Sequence, residues 1–288
     1  MNNSRVFPAR LFGRTVRGAS VELLLLRSLE LGHWEVLARP ARRLDEGTVF
    51  ELGGGLIRGR VIGCGEYGKR TVELQCEGDI YKTVDQMGQT PLPPYIKRTG
   101  ARLEAGDRQR YQTVYAKDRG SVAAPTAGLH FTPEVLEALK DRGVGYSEIT
   151  LHVGYGTFQP IRTDSVEEHQ MESELFTIPE ETVQALERAR ARGGRVVAVG
   201  TTAVRTLESA ADVRGVVRTG SDETDLFIYP GYRFKVVDGL LTNFHLPKSS
   251  LFLLVSAFGG REIMRRAYQE AIREGYRFYS FGDCMLID

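Results

Sequence analysis

Cysteine and net charge are both scarce in this chain of 288 residues. The three cysteines, Cys64, Cys76 and Cys284, are scattered and form no Cys-x-x-Cys pair. This pattern argues against a disulfide scaffold and a structural zinc site, and it favours a reducing cytoplasm. Thirty-eight basic side chains face 37 acidic ones, so the formal net charge is only +1. The near balance argues against a broad electrostatic grip on nucleic acid.

Long apolar stretches are also missing. The most apolar segments, residues 21–26 and 251–255, are far shorter than the roughly 20 residues that a membrane-spanning helix needs. The opening residues, MNNSRVFPARLFGR, lack the apolar core of a signal peptide. We therefore expect a cytoplasmic protein with no membrane partner. A hydrophobic share of 42% and a charged share of 26% are typical of globular proteins, which excludes wholesale disorder.

Lysine is rare among the basic residues: seven are lysine and 31 are arginine. The guanidinium fork suits phosphates and stacks on bases, although a GC-rich genome would give the same bias. The basic residues are concentrated between residues 97 and 119, where seven of them face three acidic ones. We expect an anionic partner to contact this basic segment.

The sequence pattern of the chain changes near residue 90. Up to about residue 90, short apolar segments recur at roughly ten-residue spacing between glycine turns, which predicts a small antiparallel barrel. After the proline-rich residues 90–95, helices and strands alternate, with strands predicted at residues 225–229 and 234–237. We predict a mixed α/β domain plus a small antiparallel β-barrel domain. The barrel is assigned mostly to residues 1–92 and the α/β domain to residues 93–288, with the first few residues free to belong to the latter.

Five segments carry candidate chemistry. Residues 125–131 (PTAGLHF) precede a helix start, and their small residues let a ligand approach the backbone. His130 suits acid–base work, although a tight turn with a buried histidine is the alternative. Residues 151–160 contain a Gly-x-Gly loop between aromatic residues, which lacks the third glycine of a dinucleotide site. They indicate either a flat pocket for a base or sulfonium, or an aromatic β-turn.

Residues 169–172 (HQME) are consistent with either a weak metal site or a solvated acidic helix end. Residues 197–209 run from a buried strand through Gly-Thr-Thr into a helix. Thr201, Arg205 and Glu208 fall on one helix face there, which suits a ligand at the strand end or, alternatively, a helix cap with a surface ion pair.

The fifth candidate combines residues 225–231 and 241–250, where polar side chains are concentrated before an apolar helix. Ser249, His245 and Asp225 formally allow a catalytic triad. No Gly-x-Ser-x-Gly elbow is present, so a hydrolase is poorly supported.

Taken in order, PTAGLHFT, ITLHVGYGTFQPI, VVAVGTTAVRTLESA and DLFIYPGYRFKVVDGLLTNFHLP resemble the S-adenosylmethionine:tRNA ribosyltransferase-isomerases of queuosine biosynthesis. The similarity runs from Asn2 to Ile287. It implies transfer and isomerisation of the ribosyl part of S-adenosylmethionine onto 7-aminomethyl-7-deazaguanine at the tRNA wobble position. The product is epoxyqueuosine, and adenine and methionine leave. S-adenosylmethionine is thus a consumed substrate, no cofactor or metal is implied, and the partner is a tRNA anticodon loop; we expect a monomer.

The resemblance also suggests residue roles within the matching segments. The general base remains open among His130, His152, His245 and Glu208. Expected contacts to the substrate, including stacking by the two aromatic residues, come from Thr126, Gly128, Gly154, Tyr155, Gly156, Phe158, Gly200, Thr201, Thr202, Arg205, Asp225 and Asn243. Expected contacts to RNA come from Arg5, Arg108, Arg110 and Lys117, and Arg205 is also expected to contact an anticodon phosphate.

One departure from the family concerns the start. Members usually begin several dozen residues before the pair Asn2-Asn3, so the resemblance implies an N-terminally short form. A truncated, inactive remnant of the family is therefore one alternative. A non-catalytic RNA-binding protein is another, and a nucleotide-sugar or NAD(P) enzyme is a third, which lacks the required glycine-rich loop.

Overall fold

The computed structural model describes residues 1–93, 95–96, 104–158, 161 and 163–288. It divides into two compact units: Val6–Tyr111, and Met1–Arg5 together with Gln112–Asp288. The predicted fold class is confirmed, because one unit holds a closed antiparallel barrel and the other is mixed α/β. The domain boundary between residues 92 and 93 stays a prediction.

A short strand, β1 (Ser4–Val6), leads into the barrel unit. The elements of the barrel unit are the strands β2 (Arg10–Thr15), β3 (Ser20–Ser28), β4 (His33–Arg39), β5 (Val49–Leu52), β6 (Ile57–Cys64) and β7 (Lys69–Cys76), followed by the helices α1 (Ile80–Met87) and α2 (Glu104–Arg110). The six strands from β2 to β7 close in the order β2-β3-β4-β7-β6-β5.

Alternation of apolar and polar residues along the strands gives the barrel an apolar interior. In β3, for example, Val21, Leu23 and Leu25 are buried while the residues between them are not, as expected of strands with one buried face. A Cβ at Gly59 would lie 2.3 Å from the ring of Phe50. Glycine at that position therefore lets the aromatic ring fill the interior.

The second unit builds three small sheets. Its elements are β8 (Asp118–Ser121), α3 (Pro133–Asp141), β9 (Thr150–Leu151), β10 (Glu174–Ile178), α4 (Glu180–Ala191), β11 (Val197–Val199), α5 (Thr201–Ser209), β12 (Gly220–Thr224), β13 (Gly239–Asn243), α6 (Ser250–Gly259), α7 (Arg261–Arg273) and β14 (Cys284–Ile287). β1 pairs with β8, and the other two sheets have the orders β12-β10-β9 and β11-β13-β14. Only the pairing of β11 with β13 is parallel among the register pairs of these last two sheets.

An apolar core packs the two sheets that contain β10 and β13 against the helices α5, α6 and α7. It contains Phe176 of β10, Leu240 of β13, Leu207 of α5 and Val255 of α6, all buried. Within the described ranges, every helix is too short or too polar to cross a bilayer.

The predicted strands at residues 225–229 and 234–237 are wrong; both segments are irregular. Side chains take the place of a strand partner there. The carboxylate of Glu208 accepts the backbone N–H groups of Lys235, Val236 and Val237, and the guanidinium of Arg205 donates to the carbonyl of Leu226. Because backbone groups must be satisfied but not necessarily by another strand, an apolar sequence pattern alone overpredicted sheet.

Candidate functional site

Three of the candidate segments meet at the carboxyl ends of the parallel strands β11 and β13. Gly200, just after β11, donates its N–H to the carbonyl of Leu241 in β13 at 2.8 Å. A Cβ at Gly200 would lie 3.4 Å from the Cβ of Ala127, so the short 3₁₀ turn Thr126–His130 packs against this edge. Ligands bind at such strand ends in open α/β sheets.

Asn243, the last residue of β13, links both ends of that turn. Its side-chain Oδ1 accepts a hydrogen bond from the hydroxyl of Thr126 at 3.0 Å, and its Nδ2 lies 2.9 Å from Nε2 of His130. Because the hydroxyl of Thr126 can accept as well as donate, the amide of Asn243 can bond either tautomer of the His130 ring. We call Thr126, Asn243 and His130 the open cluster.

Burial lowers the pKa of His130, while Asp283 raises it and Arg277 lowers it to a lesser extent. The last two form an ion pair of their own, with 3.3 Å between Nη2 of Arg277 and Oδ1 of Asp283. Asn243 is only 2% exposed in relative terms, whereas His130 is half-buried. The open cluster thus joins a fixed buried amide to a neutral imidazole that still reaches the surface.

Gly128 has a packing role within the turn. A Cβ there would come within 2.0 Å of the Tyr115 hydroxyl. Among the described residues, that hydroxyl and the hydroxyl of Thr113 are buried without hydrogen-bond partners. Burial raises the pKa of Tyr115 far above its usual range, so the phenol stays protonated.

His152 sits elsewhere, at the end of β9. A Cβ at Gly120 in β8 would touch its ring at Nδ1, and this nitrogen is buried with no hydrogen-bond partner in the described part of the chain. Burial lowers the pKa of His152, with a smaller opposite effect from Asp118. Its surroundings are thus in β8 rather than in the turn Thr126–His130.

His245 is a fully buried, neutral histidine. Its Nε2 lies 2.8 Å from the hydroxyl of Thr242, its backbone N–H donates to the hydroxyl of Tyr268 at 2.9 Å, and burial lowers its pKa to about 4. This arrangement gives the predicted catalytic role of His245 no geometric support.

The formal triad of Ser249, His245 and Asp225 does not form, which corrects that alternative. The hydroxyl of Ser249 caps α6 by accepting the N–H of Phe252 at 3.2 Å, and Asp225 is exposed. The hydroxyl of Ser249 and the ring of His245 therefore bond to other groups and not to each other.

Arg205 and Glu208 are both buried and bonded to other parts of the protein, and their expected contacts to substrate or phosphates stay predictions. Arg205, 5% exposed, pairs with Glu174 and donates to the carbonyls of Leu226 and Thr224 at 2.9 and 3.3 Å. Glu208, 1% exposed, holds the backbone of residues 235–237 through bonds of 2.9 to 3.1 Å. We call Glu174, Arg205 and Glu208 the closed cluster.

Two neighbouring depressions share the side chain of Met171. Their volumes, including space open to solvent, are about 330 and 360 Å³. The predicted substrate residues that line the first are Thr201, Thr202 and Arg205, and those that line the second are Gly154 and Gly156. Tyr155 is half-buried beside them, and the side chain of Phe158 lies outside the described part of the chain.

The third candidate segment also lines the second depression, through His169 and Glu172. The ring of His169 stands edge-on to Phe227 at 4.9 Å between centroids. Within the described residues, no group of three or more histidine, cysteine, aspartate or glutamate side chains can hold a metal ion.

The predicted RNA contacts fall in both units. Arg5 and Lys117 are exposed in the α/β unit, and Nζ of Lys117 lies 2.7 Å from Oε2 of Glu148. Arg108 and Arg110 are exposed in the barrel unit, where Arg108 donates to the carbonyls of two residues near α1. Residues 97–103, which hold part of the basic segment, lie outside the described residues.

Sequence reasoning missed Asn2, which is wholly buried. Its side chain bonds both backbone groups of Leu151 at 3.0 Å and donates to the hydroxyl of Thr202 at 3.2 Å. It thereby ties the segment 151–160 to the start of α5. The adjacent pair of asparagines was the available signal, because a buried amide must find several partners.

Comparison with known proteins gives consistent results. The family model described as "Queuosine biosynthesis protein" matches residues 1–287. Proteins named S-adenosylmethionine:tRNA ribosyltransferase-isomerase from Natranaerobius thermophilus and Heliobacterium modesticaldum are 53% and 52% identical to this chain. Each match covers 100% of the chain and 83% of the relative. A solved structure, the S-adenosylmethionine tRNA ribosyltransferase of Thermotoga maritima, is 38% identical with a TM-score of 0.48, over 100% of this chain and 81% of its own.

The resemblance inferred from the sequence segments is therefore confirmed. The family model spans nearly every residue, and the similar relatives are matched over most of their own length. This chain belongs to the queuosine biosynthesis protein family.

Proposed function

We propose that this chain transfers the ribosyl part of S-adenosylmethionine onto 7-aminomethyl-7-deazaguanine at the wobble position of tRNA and isomerises it, giving epoxyqueuosine-tRNA. Adenine and methionine are released. The proposal rests on membership of the family and on relatives that carry this enzyme's name at 49–53% identity across the whole chain.

The observation that carries the site is the meeting of Thr126, His130 and Asn243 at the carboxyl ends of β11 and β13. The reaction must break the bond between C5′ and sulfur and the bond from C1′ to adenine. Polar groups positioned in advance are the usual means of stabilising charge that develops during such steps. The open cluster supplies such a group, because the buried amide of Asn243 orients the half-buried ring of His130.

The depressions beside the closed cluster fit the remainder of S-adenosylmethionine. Thr201 and Thr202 at the start of α5 offer hydroxyls to the ribose. In the neighbouring depression, Glu172 places negative charge where a sulfonium or an ammonium is favoured. Tyr155 is positioned for stacking on a base. S-adenosylmethionine is a consumed substrate here, and the proposal includes no further cofactor.

The anticodon loop of the tRNA is the proposed partner. Exposed Arg5 and Lys117 in one unit and exposed Arg108 and Arg110 in the other offer contacts to phosphates, which would make binding dependent on salt. A monomeric protein of the cytoplasm is the simplest setting for this activity.

The test is adenine release from S-adenosylmethionine in the presence of an anticodon stem-loop. A stem-loop bearing 7-aminomethyl-7-deazaguanine should support release and acquire the mass of epoxyqueuosine. The matched stem-loop with guanine at the same position should not. Binding of either RNA without adenine release would instead favour a non-catalytic RNA-binding protein or an inactive remnant of the family.

A further inference from the structure

We infer that Ser250 of α6 and Thr201 of α5 together bind the ribose of S-adenosylmethionine, each through its hydroxyl to one of the 2′ and 3′ hydroxyls of the sugar. The inference rests on the proposed function, which already gives the start of α5 to the ribose. It adds a second helix and a further residue, Ser250, to the substrate site.

Two helices begin at the first depression, the one of about 330 Å³. Thr201 is the first residue of α5 and Ser250 is the first residue of α6, and both line the depression. The two helices pack against each other. Thr201 is only 6% exposed and Ser250 only 8%. The walls of the depression therefore contain two polar side chains that the fold has almost entirely buried.

Neither hydroxyl is used within the described part of the chain. No hydrogen bond among the described residues involves Oγ1 of Thr201 or Oγ of Ser250, and neither oxygen is sealed from solvent. The other hydroxyls of the two helices are all bonded, namely those of Thr202, Thr206, Ser209 and Ser256. Since buried polar groups normally have partners, the two unused hydroxyls indicate that a ligand supplies the missing bonds.

The start of α5 offers further donors. Its N-cap is Gly200, which has no side chain to cap the helix, so the N–H groups of Thr202 and Ala203 lack a side-chain acceptor. The start of α6 differs, because Ser249 accepts the N–H of Phe252 at 3.2 Å. A ligand that carries oxygen is therefore favoured at the start of α5.

The surroundings favour a neutral ligand over an anion. Most of the lining is apolar, and the guanidinium of Arg205, which also lines the depression, is already paired with Glu174. A buried carboxylate or phosphate without a cation of its own is costly. A sugar instead presents C–H groups to apolar side chains and hydroxyls to polar ones. Because a hydroxyl both donates and accepts, each protein hydroxyl can bond one hydroxyl of the sugar.

The neighbouring depression indicates which part of the substrate lies here. The two depressions share Met171, and the second contains Glu172, whose charge favours the sulfonium. In S-adenosylmethionine only C5′ separates the sulfonium from the ribose ring, so the ribose lies in the first depression when the sulfonium lies in the second. The 2′ and 3′ hydroxyls are on carbons other than C5′ and C1′. Holding them fixes the sugar without blocking the bonds that break.

Binding measured by calorimetry tests this site without turnover. S-adenosylmethionine is titrated into the whole chain together with the stem-loop that carries guanine at the wobble position. We expect Ser250→Ala and Thr201→Val each to weaken binding about three- to tenfold, the usual effect of losing one hydrogen bond. Ser256→Ala is the matched control and should bind normally, because this hydroxyl of the same helix donates to the carbonyl of Phe252 and lies outside the depression.

Analogues of S-adenosylmethionine that lack one ribose hydroxyl identify the partners. Loss of the hydroxyl that bonds Ser250 should weaken binding to the unaltered protein but should not weaken binding to Ser250→Ala further. The other deoxy analogue should show the same coupling with Thr201→Val. Independent effects of the substitutions and of both deoxy analogues would overturn the inference. Coupling of either substitution to removal of the substrate carboxylate would also contradict it, because the depression would then be an anion site.

The outcomes distinguish this inference from the proposed function. If the unaltered protein binds S-adenosylmethionine and releases adenine while both variants bind as tightly, the proposed function stands and the ribose site is wrong. If the unaltered protein does not bind S-adenosylmethionine, both are wrong. Thermal unfolding of each variant is measured alongside. If one variant does not fold, the variant on the other helix and the deoxy analogues still decide.

Discussion

The closed cluster and the open cluster are both built from polar side chains at the ends of elements in the α/β unit, yet they differ in how their hydrogen-bonding groups are used. In the closed cluster, Glu174, Arg205 and Glu208 are almost fully buried, and their charged groups are bonded to one another or to backbone. In the open cluster, Thr126 and Asn243 are bonded to each other. His130 uses one ring nitrogen on Asn243, which leaves its other ring nitrogen for a ligand.

This difference distinguishes side chains that hold the fold from side chains that are able to act on a substrate. A buried charge must be fully paired, because an unsatisfied one is costly, and a fully paired group has nothing left for a substrate. A site that binds and reacts needs at least one group with a fixed orientation and a free hydrogen-bonding position. By this criterion His130 is suited to chemistry, and Arg205 and Glu208 are suited to holding irregular loops.

Breaking the closed cluster should cause the largest effect. Glu174→Gln removes the charge that pairs with Arg205 and leaves a buried guanidinium uncompensated, which typically costs about 3–5 kcal/mol. Chemical denaturation of the variant should show this loss. The exposed pair of Glu137 and Lys140 gives the control, since Lys140→Met should change stability by less than about 0.5 kcal/mol. A loss for Glu174→Gln as small as the control's would mean that the buried pair is not structural.

Acidification should lower the stability of the chain through His245, the buried histidine of the same unit. The pKa of His245 is lowered to about 4 in the folded chain, against about 6.5 when unfolded. Between these values the unfolded chain binds the extra proton, so stability falls as the pH drops through this window, by roughly 3 kcal/mol in total.

The variant His245→Gln lacks the imidazole that binds this proton in the unfolded chain. Its unfolding free energy should therefore approach that of the unaltered protein as the pH falls from 7 to 4, as measured by denaturation across that range. A constant difference between the two proteins would show that His245 is not held neutral.

A milder change tests the loop anchor. Glu208→Gln keeps the shape of the side chain but replaces one acceptor oxygen by a donor, opposite backbone N–H groups at 2.9 to 3.1 Å. We expect a loss of about 1–3 kcal/mol and, below the unfolding transition, adenine release per folded molecule close to normal. A normal stability with lost release would instead make Glu208 catalytic.

The smallest change in stability is expected at the edge of the open cluster. Thr126→Val deletes the hydroxyl that donates to Asn243 and should cost about 1 kcal/mol. Adenine release should nevertheless fall several-fold, because the amide is then free to turn, and Thr126→Ser should restore it. Unchanged release in Thr126→Val would show that this hydroxyl does not orient the site.

Much of this arrangement could be predicted from the sequence. Period-two apolar residues and glycine turns identified the barrel, and the alternation of elements identified the α/β unit. The Gly-Thr-Thr turn after a buried strand placed Gly200 at a strand end, as found. His130 and Asn243 were both selected, because small residues and polar side chains beside apolar elements are rarely accidental.

The pairing of long-range partners could not be predicted. Glu174 gave no local signal, although it satisfies Arg205 across 31 positions. The helix face shared by Arg205 and Glu208 was recognised, but sequence periodicity does not say whether a face meets solvent, a ligand or a buried loop. For the same reason the sequence left four candidate bases equivalent, and which of them acts stays a prediction.

We expect the open cluster to take part in the reaction and the closed cluster to hold the fold. The most direct test is adenine release per folded molecule by His130→Gln and Glu208→Gln, measured side by side with the modified stem-loop at a temperature where both are folded. We expect His130→Gln to unfold normally and to lose adenine release, and Glu208→Gln to be less stable and to retain it. Retained release in His130→Gln together with lost release in folded Glu208→Gln would contradict it.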